Sequence, residues 1–185
     1  MSVESMTPLE RWLAVFKRQK PDRVPMDYWA TDETTLKLMK HLGCATKREM
    51  LEKLHVDYGT GTYDECVHFP LAGFKSVAEI EKNYSWPNPD WWDYDSIGRQ
   101  LQGWEMYPVR GGGSEPFLIY KNLRGQELAF IDLVENPDIV HYCLDKLFGL
   151  AYENTRRIFE RIPGQVTFSC VAEDMGGQTD LLFSP

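Results

Sequence analysis

Four short stretches carry residues capable of chemistry. Glu173-Asp174 is a carboxylate pair directly after an apolar, uncharged run at 166–172. Neighbours in an extended chain point to opposite sides, so one of the two carboxylates faces any pocket at that strand's end. There it can bind a substrate group or act as a general acid or base with a shifted pKa. The plainer role is a loop carboxylate capping a nearby helix. Gly111-Gly112-Gly113-Ser114 permits close backbone approach by a ligand and leads into a helix start, where an anion could sit. Its spacing is neither a P-loop nor a dinucleotide fingerprint, and a simple turn reads equally well. Asp64, after the Thr- and Tyr-rich stretch 56–64, is either a polar contact for a ligand or a turn aspartate bonded to its own backbone. Cys66-Val67-His68 puts a thiol and an imidazole on one face if extended, but a zinc site takes three or four ligands.

The elements that position these residues are marked by caps and stops. Thr7-Pro8-Leu9-Glu10 joins a capping threonine to a first-turn proline and a glutamate at the third position. Leu9, Trp12, Leu13 and Phe16 then form one apolar stripe, ended by Pro21. Thr31 caps a second helix stopped by Gly43, Thr46 with Glu49 opens a third, and Ser76-Val-Ala-Glu79 a fourth. A helix from Ser114 breaks at Gly125 and another covers about 126–135. A long one opens at Asn136-Pro137-Asp138 and stops at Pro163-Gly164. Strands are expected near 24–29, 56–63, 105–110 and 166–172. Pro108 weakens the third, because it cannot donate to a ladder. Strands alternating with helices imply β/α units, a parallel sheet and right-handed crossovers. Four of the six tryptophans fall between Trp86 and Trp104, as packing or as a pocket wall. The terminal Ser184-Pro185 is a helix-opening pair with no helix after it, so the last strand lacks its covering crossover. The expectation is a fold that stops midway, its remainder on another polypeptide or removed by truncation.

Composition bounds the function. The 185 residues are one domain's worth, with 28 Asp+Glu against 20 Lys+Arg and a net charge of -8. That balance repels a phosphate backbone, so nucleic acid is not an expected partner. No apolar stretch is long enough to span a membrane and the acidic start is no signal peptide, so a cytoplasmic chain without a membrane partner is expected. Cysteines at 44, 66, 143 and 170 form no C-x-x-C pair and read as reduced, mostly buried thiols.

Arg11-Trp-Leu-Ala-Val-Phe16 followed by Pro21-Asp22-Arg23-Val24-Pro25 resembles the uroporphyrinogen decarboxylase superfamily. It is more specifically similar to the branch of corrinoid-linked methyltransferases. Supporting stretches are 76–94 with Trp86-Pro-Asn-Pro-Asp-Trp-Trp92, 111–125, Asn136-Pro-Asp-Ile-Val140, Glu173-Asp-Met-Gly-Gly-Gln-Thr179 and Phe183-Ser-Pro185. The resemblance implies an α/β fold, a (β/α)8 TIM barrel, which typically needs about 250 residues. Residues 1–185 would then be its N-terminal half. They would form a single partial domain of N-terminal helices and about four parallel strands, truncated after the fourth.

In such a barrel the active site lies at the C-terminal strand ends. Tyr28 and Trp29 would follow the first strand as pocket walls, Asp64 the second, Gly111, Gly112 and Gly113 the third, and Glu173 and Asp174 the fourth. Asp64 matches the aspartate that faces pyrrole N–H groups in true decarboxylases, where a carboxylate stabilises positive charge developing on a ring. Tyr107 matches a pocket tyrosine of that branch. One departure is informative: Met26-Asp-Tyr-Trp-Ala-Thr-Asp32 lacks the arginines that pair with substrate carboxylates in those enzymes.

The expected activity of the complete protein is therefore methyl transfer linked to a corrinoid, acting on a small-molecule substrate. Asp64, Glu173 and Asp174 would be catalytic. Tyr28, Trp29, Tyr107 and Gly111 to Gly113 would bind substrate. This half supplies no metal ligand. Zinc would be held by the missing C-terminal half and the corrinoid by a partner protein, so this chain alone would be inactive. The alternatives are a metal-free uroporphyrinogen-type decarboxylase (a lyase) and a truncated, non-catalytic interaction subunit. A half-barrel exposes sheet edges and apolar interior, which invite a second half-barrel chain or another copy.

Overall fold

The computed structural model describes residues 4–60, 68–173, 175–177 and 179–181. In chain order its elements are α1 (Pro8–Phe16), β1 (Asp27–Trp29), α2 (Asp32–Leu42), α3 (Lys47–Lys53), β2 (Tyr58–Thr60), α4 (Val77–Asn83), α5 (Ile97–Gln100), α6 (Pro116–Arg124), α7 (Gln126–Glu135) and α8 (Pro137–Arg161). Single 3-10 turns at Pro89–Trp91 and Tyr94–Ser96 precede α5.

The helix signals act as their chemistry dictates. The Thr7 hydroxyl accepts from the Glu10 N–H, and the Glu10 carboxylate accepts from the Thr7 N–H. The hydroxyls of Thr31, Thr46 and Ser76 accept the N–H three residues on and so cap α2, α3 and α4, and Gly43 closes α2 in the left-handed conformation. Gly125, at φ +88°, separates α6 from α7.

The TIM half-barrel does not form. Helix outweighs strand by 53% to 5%, and neither a barrel nor a four-stranded sheet is present among the described residues. Of the four expected strands, only two short segments are realised. β1 and β2 pair in parallel over three residues, with Trp29 opposite Thr60. The segment 105–110 folds as turns instead: Tyr107 N–H donates to Trp104 C=O, and Pro108 has no N–H to offer. The segment 166–172 is extended without a ladder. Thr167 and Phe168 both donate to the single carbonyl of Val109, while the Thr167 hydroxyl accepts from Val109 N–H and the Ser169 hydroxyl donates to Gly111 C=O. Side-chain hydroxyls here take the bonds that backbone groups would make in a sheet.

The chain divides into two compact units. The first comprises Met1–Glu65, Gly98–Val109 and Gln165–Phe168. Its core is Met50, Leu51 and Val56, with Tyr28, Leu38, Met39 and Trp104 packed around them. The second comprises Cys66–Ile97, Arg110–Gly164 and Ser169–Pro185. Its core is helical: Phe117 and Tyr120 of α6, Ala129 of α7, and Ile139, Val140, Cys143 and Leu147 of α8 meet Leu71 and Ile80. Burial pushes the Cys143 thiol up to about 11, so it is protonated at neutral pH.

No described helix is long and apolar enough to cross a membrane.

Candidate functional site

In the first unit, the parallel pairing of β1 and β2 makes both strands end at one edge. Tyr28 is half-buried there and its hydroxyl shares a 3.1 Å hydrogen bond with the Thr35 hydroxyl. Trp29, the last residue of β1, is 60% exposed. Asp64 and Cys66 lie outside the described residues. Tyr107 is buried with its ring edge-on to Trp104, centroids 5.1 Å apart, and burial raises its hydroxyl above the ordinary tyrosine value.

Beneath β1 and β2 lies an ionic cluster. Arg11 projects from α1 and is fully buried. Its guanidinium donates to Asp57, to both carboxylate oxygens of Asp22 (2.6 and 3.0 Å), and to the Met6 carbonyl at 2.7 Å. Arg23 donates to the other Asp57 oxygen at 2.6 Å, to Glu4 at 3.0 Å, and to the His55 carbonyl at 2.8 Å. Asp57, also fully buried, accepts the Met26 N–H as well, which sets the backbone at the start of β1. The Arg11 hydrogen bond holds Asp22 well below the usual carboxylate range, assisted by the N–H groups of Met6 and Ser5.

The sequence reading took Arg11, Asp22 and Arg23 as marks of resemblance and missed that they form one body with Asp57. A signal was available. Asp57 directly follows the core residue Val56, and a charge in such a place must be paired, whereas Arg11 lies on the face of α1 opposite the apolar stripe, with Ala14, and the stripe gives no hint of its burial.

In the second unit, the glycine loop meets α6 and α8. Gly113 N–H donates to the Thr155 hydroxyl at 3.2 Å. Gly112 and Gly113 adopt φ of +70° and +85°, and a Cβ on Gly113 would lie 1.9 Å from the Cys170 carbonyl oxygen. Only glycine fits a backbone crossing this close.

Glu173 belongs to the same corner. Its two oxygens accept the N–H groups of Phe117 and Leu118 at 2.8 and 3.0 Å, so it caps the start of α6. The anion position expected beside the glycine loop is thus filled by the chain's own carboxylate. Asp174 lies outside the described residues.

Beside this corner lies an open, mostly apolar groove of about 230 Å³, lined among others by Gly113, Pro116, Phe148, Tyr152 and Val171, the last three each more than half exposed. The structure therefore brings Gly113 and Glu173 together at one end of α6. Tyr28, Trp29 and Tyr107 belong to the first unit. Sequence reasoning missed Phe148 and Tyr152, although their four-residue spacing places them on one face of α8.

A second buried network was also missed. Asp132 accepts from the Tyr120 hydroxyl at 2.8 Å, from Arg124 Nε at 2.6 Å, and from Asn136 at 2.9 Å. Arg124 also donates to the carbonyls of Leu71 and Phe74. Burial would raise Asp132, but these hydrogen bonds outweigh it and hold the carboxyl below its ordinary value.

The tryptophan-rich stretch follows the packing reading only in part: Trp104 packs on the first unit's core. Trp86 packs between Tyr84 and Tyr142, while Trp91 and Trp92 are exposed.

Among the described residues no group of three or more His, Cys, Asp or Glu is placed to hold a metal ion. Comparison with known proteins finds no similar family model, curated protein or solved structure.

Proposed function

We propose that this chain takes part in corrinoid-linked methyl transfer, contributing walls and hydrogen bonds for a substrate rather than metal ligands. The reading rests on its resemblance to the uroporphyrinogen decarboxylase superfamily and on how the residues carrying that resemblance are used, not on the fold. The observation that favours methyl transfer over porphyrinogen decarboxylation is the fate of the two arginines packed against β1 and β2. Arg11 and Arg23 are spent on Asp22, Asp57 and Glu4. The edge where β1 ends carries Tyr28 and the exposed Trp29. A substrate with many carboxylates needs cations held out to it, and an aromatic edge instead suits a flat, weakly charged group.

Calorimetric titration of the purified chain tests the reading. Saturable heat with methylcobalamin, lost in Trp29→Ala, and none with uroporphyrinogen is the expected result. Binding of uroporphyrinogen without binding of methylcobalamin overturns it in favour of decarboxylation.

A further inference from the structure

We propose that the notch between the 3-10 turn Tyr94–Ser96 and the last turns of α8 binds a phosphate group, either as the free ion or at the end of a small monoester. The notch lies wholly within the second unit, and the inference draws nothing from the methyl-transfer reading. It measures about 200 Å³ and is lined by Tyr94, Arg156, Arg157, Glu160 and Arg161, three guanidinium groups against one carboxylate. Liquid water takes about 30 Å³ per molecule, so a phosphate replacing a few waters fits. The observation that asks for a ligand is Tyr94. The residue is only 8% exposed, and its hydroxyl is buried with no hydrogen-bond partner among the described residues. Native chains rarely leave a buried donor unpaired, and one that lines a cavity points to a bound ion or water. Burial raises this hydroxyl above the ordinary tyrosine value, so it keeps its proton and can donate.

The arginines supply the charge. Arg156 is fully engaged, with Glu153 on one side and Glu160 on the other. Arg157 is not. Its guanidinium lies 5.5 Å over the Tyr94 ring and donates Nε to Glu153 and Nη1 to Asp90, so that among the described residues Nη2 meets no acceptor. Arg161 meets Asp95 through Nε at 2.7 Å, and its two terminal nitrogens are likewise open. Arg157 and Arg161 stand four residues apart on one face of α8, an arrangement of like charges that a shared anion relieves. Asp90 and Asp95 are largely exposed, and exposed ion pairs hold weakly, so both give way to a better acceptor. The negative end of α8 accounts for basic residues in its last turn, but not for a tyrosine hydroxyl buried without an acceptor. Donors from three side chains suit an ion with three acceptor oxygens better than a carboxylate with two, and the guanidinium fork matches phosphate.

Inorganic phosphate, glycerol phosphate and acetate, at matched ionic strength, are the probes. Each is titrated into the intact chain and read at the Nε–H signals of Arg157 and Arg161. Phosphate is expected to move both saturably, with acetate roughly tenfold weaker. Glycerol phosphate binding as tightly as the free ion identifies a monoester ligand, and its exclusion identifies the free ion. Tyr94→Phe keeps the ring and removes a hydroxyl that nothing in the fold bonds. It is expected to weaken phosphate roughly tenfold without lowering the Tm. Asp95→Asn, which releases Arg161, is expected to tighten phosphate binding, an effect that a merely structural ion pair would not produce. The inference is overturned by the absence of a saturable shift, by acetate matching phosphate, by unchanged phosphate affinity in Tyr94→Phe, or by Asp95→Asn failing to tighten binding.

Discussion

Arg11 and Asp57, 46 residues apart in sequence, are paired side chain to side chain with both residues fully buried. The contact ties α1 to the turn before β2, and through Asp57 to the Met26 N–H before β1. A buried pair is costly to assemble, but removing one partner strands the other charge. Asp57→Ala or Arg11→Ala should therefore destabilise the first unit by about 3–5 kcal/mol, and Arg11→Met with Asp57→Leu should cost less than the two single losses added, the remainder being the partners lost by Asp22 and Arg23. Urea unfolding of the three variants checks this. Additive losses in the double variant would refute the pairing.

Acid sensitivity follows from Asp22. Its folded pKa is depressed below the ordinary 3.8, chiefly by the hydrogen bond from Arg11. The unfolded chain binds the proton first, so this contribution is complete above about pH 4 and fades as pH falls below it. Asp132 acts in the same direction. Urea midpoints measured from pH 6 to pH 2 should fall on the acid side, and Asp22→Asn should flatten that fall. An unchanged slope in the variant would mean that Asp22 titrates alike in both states.

The glycines differ in what they allow. Gly113→Ala faces both a left-handed backbone and the Cys170 carbonyl, and should block folding of the loop. Gly164 has φ of +71° with nothing within 4 Å of a Cβ, so Gly164→Ala should cost only the backbone strain, about 1 kcal/mol. Thermal unfolding of the two variants side by side separates steric from conformational cost.

Much of the local structure is legible in the sequence, because its causes are local. Thr7, Thr31, Thr46 and Ser76 cap the helices they announce, and Gly43 and Gly125 end theirs. The sheet is not legible. Residues 166–172 satisfy strand composition, yet Thr167 and Ser169 turn their hydroxyls onto Val109 and Gly111, and Val171 is 71% exposed. Period and polarity report only that a segment can be extended, while a ladder needs a partner at long range. The candidate site divides in the same way. Gly113 and Glu173 meet at α6, but as a crossing and a cap whose geometry no spacing reveals.

The Glu173 cap carries its own stability consequence. Glu173→Ala should cost about 0.5–2 kcal/mol, the usual worth of an N-terminal cap, and Glu173→Gln less. Hydrogen exchange at the Phe117 and Leu118 amides should quicken in the alanine variant and in no distant helix. Unchanged protection there would remove Glu173 from α6.

The account depends most on Arg11 and Arg23 being consumed within the fold, leaving the β1 edge to an uncharged group. Nitrogen-15 spectra of the arginine Nε–H groups in the intact chain test that directly. Slowly exchanging Arg11 and Arg23 signals, unmoved by added uroporphyrinogen, are the predicted result. Signals that shift saturably with that polycarboxylate would contradict the account, because those guanidinium groups would then be serving a ligand.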